Sequence, residues 1–97
     1  MKSDESKYKA VSLASQIVGD STIILNHITG KIVTLNQSSA EILSLFKNPR
    51  YVSGVISLLK KKYLEVKEVD VMDTVKALCS EGLLIDLKNV KSKKILS

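Results

Sequence analysis

The stretch KIVTLNQSSAEIL, residues 31–43, changes from the pattern of a strand to the pattern of a helix. Its first five residues are rich in β-branched side chains, which predicts a strand over Lys31–Leu35. Asn36 or Ser38 can cap a helix that begins next, and Ser38 with Glu41 three residues later has the form of a capping box. The stretch therefore predicts the last strand of a sheet followed directly by the first helix of a bundle.

Two more strands are predicted before this one. Residues 11–18 alternate in polarity, and residues 22–25 form a β-branched run. Gly19-Asp20 suits a two-residue hairpin turn because Gly supplies the positive φ of the first position, and residues 27–30 make a looser turn. These short connections predict an antiparallel meander in the order one-two-three, with the third strand at an edge.

Helices are predicted for most of the remaining chain. The first ends before Asn48-Pro49, because a residue that precedes proline is displaced from the helical region. The second covers about residues 52–63, and the third covers about residues 68–81 and stops at Gly82, a natural C-cap.

The third helix has an inward apolar stripe of Val71, Val75 and Leu78, with Met72 and Cys79 on one flank. Residues 83–85 either pack back onto the bundle or add a short extended piece. The predicted fold class is α+β, with a three-stranded antiparallel sheet followed by a three-helix bundle.

The net charge of +5 lies at the two ends of the chain. Residues 10–87 hold eight basic and eight acidic side chains, so the predicted folded domain is neutral. We expect residues 1–9 to be a flexible N-terminal segment and residues 88–97 to be a basic, solubilising C-terminal tail. The third helix holds four acidic residues against Lys76, which would repel a phosphate backbone, so we expect no nucleic-acid partner.

The residues that usually carry catalysis are sparse. His27 and Cys79 are the single histidine and cysteine, so no CxxC knuckle or histidine cluster exists to hold a metal. We expect a non-enzyme without a cofactor, in which Cys79 is an inert thiol beside the apolar stripe. No apolar run approaches the roughly 20 residues that span a bilayer, and no signal peptide is evident. We therefore expect a cytoplasmic protein with no membrane partner.

The segments TGKIVTLN, residues 29–36, and AEIL, residues 40–43, resemble the PqqD-like family. Residues 52–59 and 82–84 also fall where that family places its later helices, and the resemblance covers about residues 11–87. Members of the family are recognition elements for ribosomally synthesised, post-translationally modified peptides. The resemblance implies a winged helix-turn-helix-like fold and a PqqD-like domain over residues 10–87.

The resemblance also implies the partners. Family members bind the leader of a precursor peptide, which adds as a strand beside the third strand in the cleft toward the third helix. They present it to a modifying enzyme, often a radical S-adenosylmethionine protein. We expect a monomer or a weak dimer. The predicted peptide-binding residues are Lys31, Ile32, Val33, Thr34, Leu35, Met72, Lys76 and Cys79.

An edge strand supports the same role on physical grounds. Its unpaired N–H and C=O groups can bond to an extended peptide, while neighbouring side chains give specificity. Val33 and Leu35 share the face that should point to the core, and Ile32 and Thr34 share the other. Two alternatives stay open, namely a winged-helix DNA-binding regulator and an accessory enzyme subunit that binds no peptide.

Overall fold

The structure is a computed structural model that describes residues 6–26 and 29–88. The described chain forms two three-stranded antiparallel sheets, ordered β2-β3-β4 and β5-β1-β6, together with three helices. The predicted α+β class and the meander order are confirmed. In chain order the elements are β1 (Lys7–Ala10), β2 (Ala14–Val18), β3 (Ser21–Asn26), β4 (Lys31–Leu35), α1 (Gln37–Leu45), β5 (Arg50–Tyr51), α2 (Val52–Lys62), α3 (Glu68–Ser80) and β6 (Leu84–Asp86).

The turn between β2 and β3 fixes the hydrogen-bond pattern of the meander. Gly19 has a φ of 62° and Asp20 has a negative φ, as in a type II′ turn. Such a turn closes on a hydrogen-bonded pair, here Val18 and Ser21. Bonded and non-bonded pairs then alternate along the antiparallel ladder.

One face of the meander is covered by the helices. Ile24 and Leu35 point to this face and are 4% and 7% exposed. They join one core cluster with side chains of all three helices and of the segment that follows α3. Its members are Ile24, Leu35, Ile42, Phe46, Val52, Val55, Leu59, Val71, Val75, Leu78, Leu83 and Leu84.

The second sheet was not predicted, and it corrects the expected N-terminal boundary. Lys7–Lys9, assigned above to a flexible segment, lie in β1 between β5 and β6. The N–H of Ala10 donates to the carbonyl of Phe46 at 2.8 Å, and the N–H of Val11 donates to that of Leu83 at 2.9 Å. Residues 84–86 form the short extended piece that was one of the two expectations. A two-residue and a three-residue strand are too short to give a clear period in the sequence.

The ends of α1 and α3 show which capping signals are used. Asn36 is the N-cap of α1, and its Oδ1 accepts from the N–H of Ser39 at 2.8 Å. The capping-box pattern of Ser38 and Glu41 is not used. At the end of α3, Gly82 has a φ of 77°, and the N–H of Leu83 donates to the carbonyl of Leu78 at 2.9 Å. This is a Schellman motif in which Glu81 is the C-cap and Gly82 is the C′ residue, so α3 stops at Gly82 as predicted.

Some predictions lie outside the described residues. These are the behaviour of residues 1–5 and 89–97 and the turn position of His27. Among the described residues, no helix is long and apolar enough to cross a membrane.

Candidate functional site

The edge of β4 presents free backbone groups. Gln16 and Ile23 form a bonded pair in the alternation set by the Gly19 turn, so Ile23 uses its N–H and C=O groups on β2. Thr34, which pairs with Ile23 from the other side, therefore points its own groups away from the sheet. The same holds for Ile32 opposite Leu25. β4 ends the sheet, so these groups are open to an added strand.

The side chains of β4 alternate as predicted. Leu35 is buried and Val33 is half-buried on the core side, where Lys31 also lies but is exposed. On the opposite face Ile32 is 68% exposed and Thr34 is exposed. The structure therefore brings Lys31–Leu35 together as one continuous edge, as the sequence predicts.

Helix α3 runs beside β4 in the opposite direction. At its C-terminal end, the Nδ2 of the buried Asn26 donates to the carbonyl of Glu81 at 3.3 Å, and Asn26 is the register partner of Lys31. At its N-terminal end, Asp70 lines a cavity of about 620 Å³ with Gln37, two residues beyond the end of β4. These two points bring the C-terminal end of α3 to the start of β4 and its N-terminal end to a cavity that begins just beyond the end of β4.

The two flanks of α3 face different sheets. At about 100° per residue, Asp70, Thr74, Ala77 and Glu81 share one flank. We call it the β4-facing flank because Asp70 lines the same cavity as Gln37 and the backbone carbonyl of Glu81 accepts from Asn26. Thr74 is half-buried on this flank, and the other three residues are exposed.

The opposite flank carries the predicted residues Met72, Lys76 and Cys79, and we call it the β6-facing flank. Burial raises the pKa of the Cys79 thiol, and the Asp86 carboxylate on β6 raises it further. Burial, Asp86 and Cys79 in turn raise the pKa of Tyr8 on β1. The structure thus places Cys79 toward β1 and β6, and it does not bring this flank together with β4. Sequence reasoning lacked the second sheet, which decides which flank faces where.

The other edge of the sheet was missed entirely by sequence reasoning. β2 is exposed at all five positions, and Ile17 is 75% exposed although it lies on the core-facing side. Beneath β2 lies a half-open cavity of about 810 Å³, which we call the β2-side cavity. The apolar Leu13, Ile17 and Leu43 line it, and so do Lys9 and Lys47. The signal available in the sequence was a strand, Ala14–Val18, that contains no charged residue and no proline.

A polar cluster joins α1 to α2 but offers no catalytic centre. Glu41 accepts from the Nζ of Lys62 at 2.7 Å and from the hydroxyl of Tyr63 at 2.5 Å. The hydrogen bond from Lys62, and then that from Tyr63, lowers the pKa of the Glu41 carboxyl. Within residues 6–26 and 29–88, no group of three or more His, Cys, Asp or Glu side chains is arranged to hold a metal ion.

The family model of PqqD, the coenzyme PQQ synthesis protein D, matches residues 21–84. The chain belongs to the PqqD family. No curated protein matches it significantly. A solved structure of TbiB1 in complex with the TbiA(beta) leader peptide is similar in fold, with a TM-score of 0.64 and 23% sequence identity. That alignment covers 78% of this chain and 93% of the TbiB1 chain.

The residues that the PqqD model matches include one edge strand of the sheet, β4, and not the other, β2. Residues 21–84 include β3, β4 and all three helices, and thus the whole of the β4 edge with its facing helix. β1 and β2 precede the matched range. The matched range therefore contains β4 and α3 and begins after β2.

Proposed function

We propose that this protein is a non-catalytic recognition element that binds the leader of a precursor peptide by strand addition to β4. The observation that carries the proposal is the open edge of β4 beside α3, within the range that the PqqD model matches. The similar structure of TbiB1 was determined with a leader peptide, which supports the same class of ligand.

Strand addition would use the backbone first and the side chains second. An extended peptide would bond to the outward groups of Ile32 and Thr34, which gives affinity without demanding a particular sequence. Its alternate side chains would lie on the core side, near Val33 and the β4-facing flank of α3. Thr74 and Ala77 are the small residues of that flank, so we expect them to influence which peptide side chains fit there.

This arrangement refines the predicted site. Lys31, Ile32, Val33, Thr34 and Leu35 keep their role in the proposal. Contact of the peptide with Met72, Lys76 and Cys79 stays a prediction, since it would require the peptide to pass to the β6-facing flank. Asp70, Thr74, Ala77 and Glu81 are the residues of α3 that the geometry favours.

The charge of α3 disfavours the DNA-binding alternative. Glu68, Asp70, Asp73 and Glu81 are all exposed, and Lys76 is the one basic side chain within residues 68–81. A reading helix in the major groove would bring these carboxylates close to phosphate groups, and their repulsion would oppose binding.

The bound leader would be presented to a separate modifying enzyme. The family resemblance favours an enzyme of the radical S-adenosylmethionine type, which acts in the cytoplasm, and it assigns no catalytic step to this chain. Catalysis would then depend on the partner, and this protein would raise the local concentration of its peptide substrate.

The test uses fluorescein-labelled peptides that cover the N-terminal segments of short proteins encoded beside the gene. Fluorescence anisotropy should give a dissociation constant for one of them. Thr34→Pro removes an outward donor of β4 without removing a bond to β3, so it should weaken binding by about tenfold or more.

Ser15→Pro is the matched control. Ser15 forms a non-bonded pair with Ile24, so its N–H points away from the sheet at the β2 edge, as that of Thr34 does at the β4 edge. The affinity of this variant should stay within about twofold of the wild type. Unchanged affinity in a folded Thr34→Pro variant, or binding by none of the peptides, would count against strand addition at β4.

A further inference from the structure

The edge of β2 lacks three features that often prevent strand pairing, namely charged side chains, proline and a bulge. Its sequence, Ala14–Val18, contains no charge and no proline, and it pairs in full register with β3 without a bulge. Ser15 and Ile17 form non-bonded pairs with β3, so their N–H and C=O groups point outward. Ile17 is 75% and Val18 is 52% exposed. An edge of this kind favours pairing with another strand.

We propose that β2 pairs with β2 of a second copy of this chain, antiparallel about a two-fold axis at Gln16. This register sets Ser15 of one copy opposite Ile17 of the other, and Ala14 opposite Val18. The outward groups of both strands then meet in bonded pairs and form roughly four new backbone hydrogen bonds. No other antiparallel register of two β2 strands pairs all five residues.

The side chains support this register. On the core-facing side, Ile17 of each copy lies across from the small Ser15, and the two isoleucines become diagonal neighbours. They would cover part of the β2-side cavity, whose lining includes the apolar Leu13 and Leu43. On the other side Gln16 meets Gln16 of the second copy, and two amides can bond to each other. The two strands bring no like charges together.

Charge and size set the strength of the dimer. Residues 10–87 hold equal numbers of basic and acidic side chains, so two copies meet without strong repulsion between their folded parts. A strand of five residues buries much less than the roughly 800 Å² per partner of a stable interface. We therefore expect a weak, reversible dimer with a dissociation constant of about 10 to 500 µM.

The assembled dimer would contain one six-stranded sheet in the order β4-β3-β2-β2-β3-β4. Both β4 edges would lie at its outer ends, so dimer formation would leave them free. The proposal therefore stands apart from peptide recognition, and either can fail without the other.

Sedimentation equilibrium from about 10 µM to about 1 mM tests the proposal. The wild type should dimerise, and Ile17→Lys should weaken the dimer by about tenfold or more, because it places two ammonium groups at diagonal positions. Ile17 is largely exposed, so the variant should fold normally, which circular dichroism checks. Ile32→Lys is the matched control, because Ile32 is a similarly exposed isoleucine on the β4 edge.

Three outcomes would overturn the proposal. One is a wild type that stays monomeric over the whole range, and another is a dimer that Ile32→Lys disrupts and Ile17→Lys does not. The third is a loss of affinity for the labelled leader peptide in Ile17→Lys, which would show that β2 receives a foreign strand. Ser15→Pro is a second test variant. It removes an outward N–H donor of β2, so it should weaken the dimer as strongly as Ile17→Lys does.

Discussion

The β2 and β4 edges belong to the same sheet and share β3, yet they lie in different surroundings. Each has two residues with outward backbone groups, Ser15 and Ile17 on β2 and Ile32 and Thr34 on β4. The β4 edge runs beside α3, whose two ends are placed near Asn26 and Gln37. The β2 edge ends the other side of the sheet and stands over a half-open cavity that residues of α1 also line.

This difference shows that an open edge alone does not define a ligand site. Both edges offer the same backbone chemistry, and only side chains around them can select a partner. At β4 a neighbouring helix adds a second wall that an extended peptide would contact. At β2 the partner is limited by the strand itself, which is uncharged and self-complementary. The PqqD match covers the first edge and excludes the second.

The largest expected effect comes from a side chain that supports both edges. Ile24 is 4% exposed in the middle of β3 and lies between Ser15 and Val33 in the register. Ile24→Ala should lower the free energy of unfolding by about 2 to 5 kcal/mol, because it leaves a cavity in the core. Urea unfolding measures this loss, and peptide binding and dimer formation should weaken together.

Ile23→Ala is the control for this variant. Ile23 lies one residue earlier on the opposite face of β3 and is half-buried. Its truncation should cost clearly less than that of Ile24. Equal losses in the two variants would mean that the helices do not cover the face assigned to them.

A smaller effect is expected from Gly→Ala changes in the two hairpin turns, one next to each edge strand. Gly19 and Gly30 have φ values of 62° and 77°, and a Cβ at either position would meet nothing within 4 Å. Each Gly→Ala change should therefore cost about 1 kcal/mol through the backbone alone, measured by thermal unfolding. Gly30→Ala should weaken peptide binding more than dimer formation, and Gly19→Ala should do the reverse. A uniform effect on both readouts would show that the two hairpins do not move independently.

The smallest expected effect concerns pH. Glu41 lines the β2-side cavity and also the cavity at the N-terminal end of α3, and hydrogen bonds from Lys62 and Tyr63 lower its pKa. A lowered pKa in the folded state stabilises the protein above the pKa of the unfolded chain, about 4.3, and this contribution is lost as the pH falls through the folded value. Glu41→Gln should lower the urea midpoint by about 0.2 M at neutral pH.

The difference between Glu41→Gln and the wild type should disappear once the pH lies below the folded pKa of Glu41. The exposed Glu65 gives a control, and Glu65→Gln should change the midpoint less at neutral pH. A difference for Glu41→Gln that persists in acid would mean that packing, and not charge, links Glu41 to α2.

The sequence was sufficient to predict the meander and the three helices, because each has a clear period or a clear terminal residue. Gly19-Asp20 marked the hairpin, and Gly82 marked the end of α3. The alternation of Val33 and Leu35 with Ile32 and Thr34 was also confirmed, since a period of two fixes the faces of a strand.

The sequence could not predict which side of α3 faces β4. That choice depends on where β6 docks against β1, and their pairing joins residues almost eighty positions apart, as Tyr8 and Asp86 show. Local patterns do not encode such a pairing when a strand has only three or four residues. The same limit applies to Asn36 and Ser38, because both are good N-cap residues and only the geometry of the preceding strand decides between them.

The pairing of Tyr8 with Asp86 also brings the two ends of the described chain side by side. They meet on the side of α3 that carries Cys79, away from β4. A second domain could therefore be tethered at either end without a linker that crosses the space between β4 and α3. A short flexible tether gives effective concentrations in the millimolar range, so a fused enzyme would meet the bound substrate even if its own affinity for this domain were low.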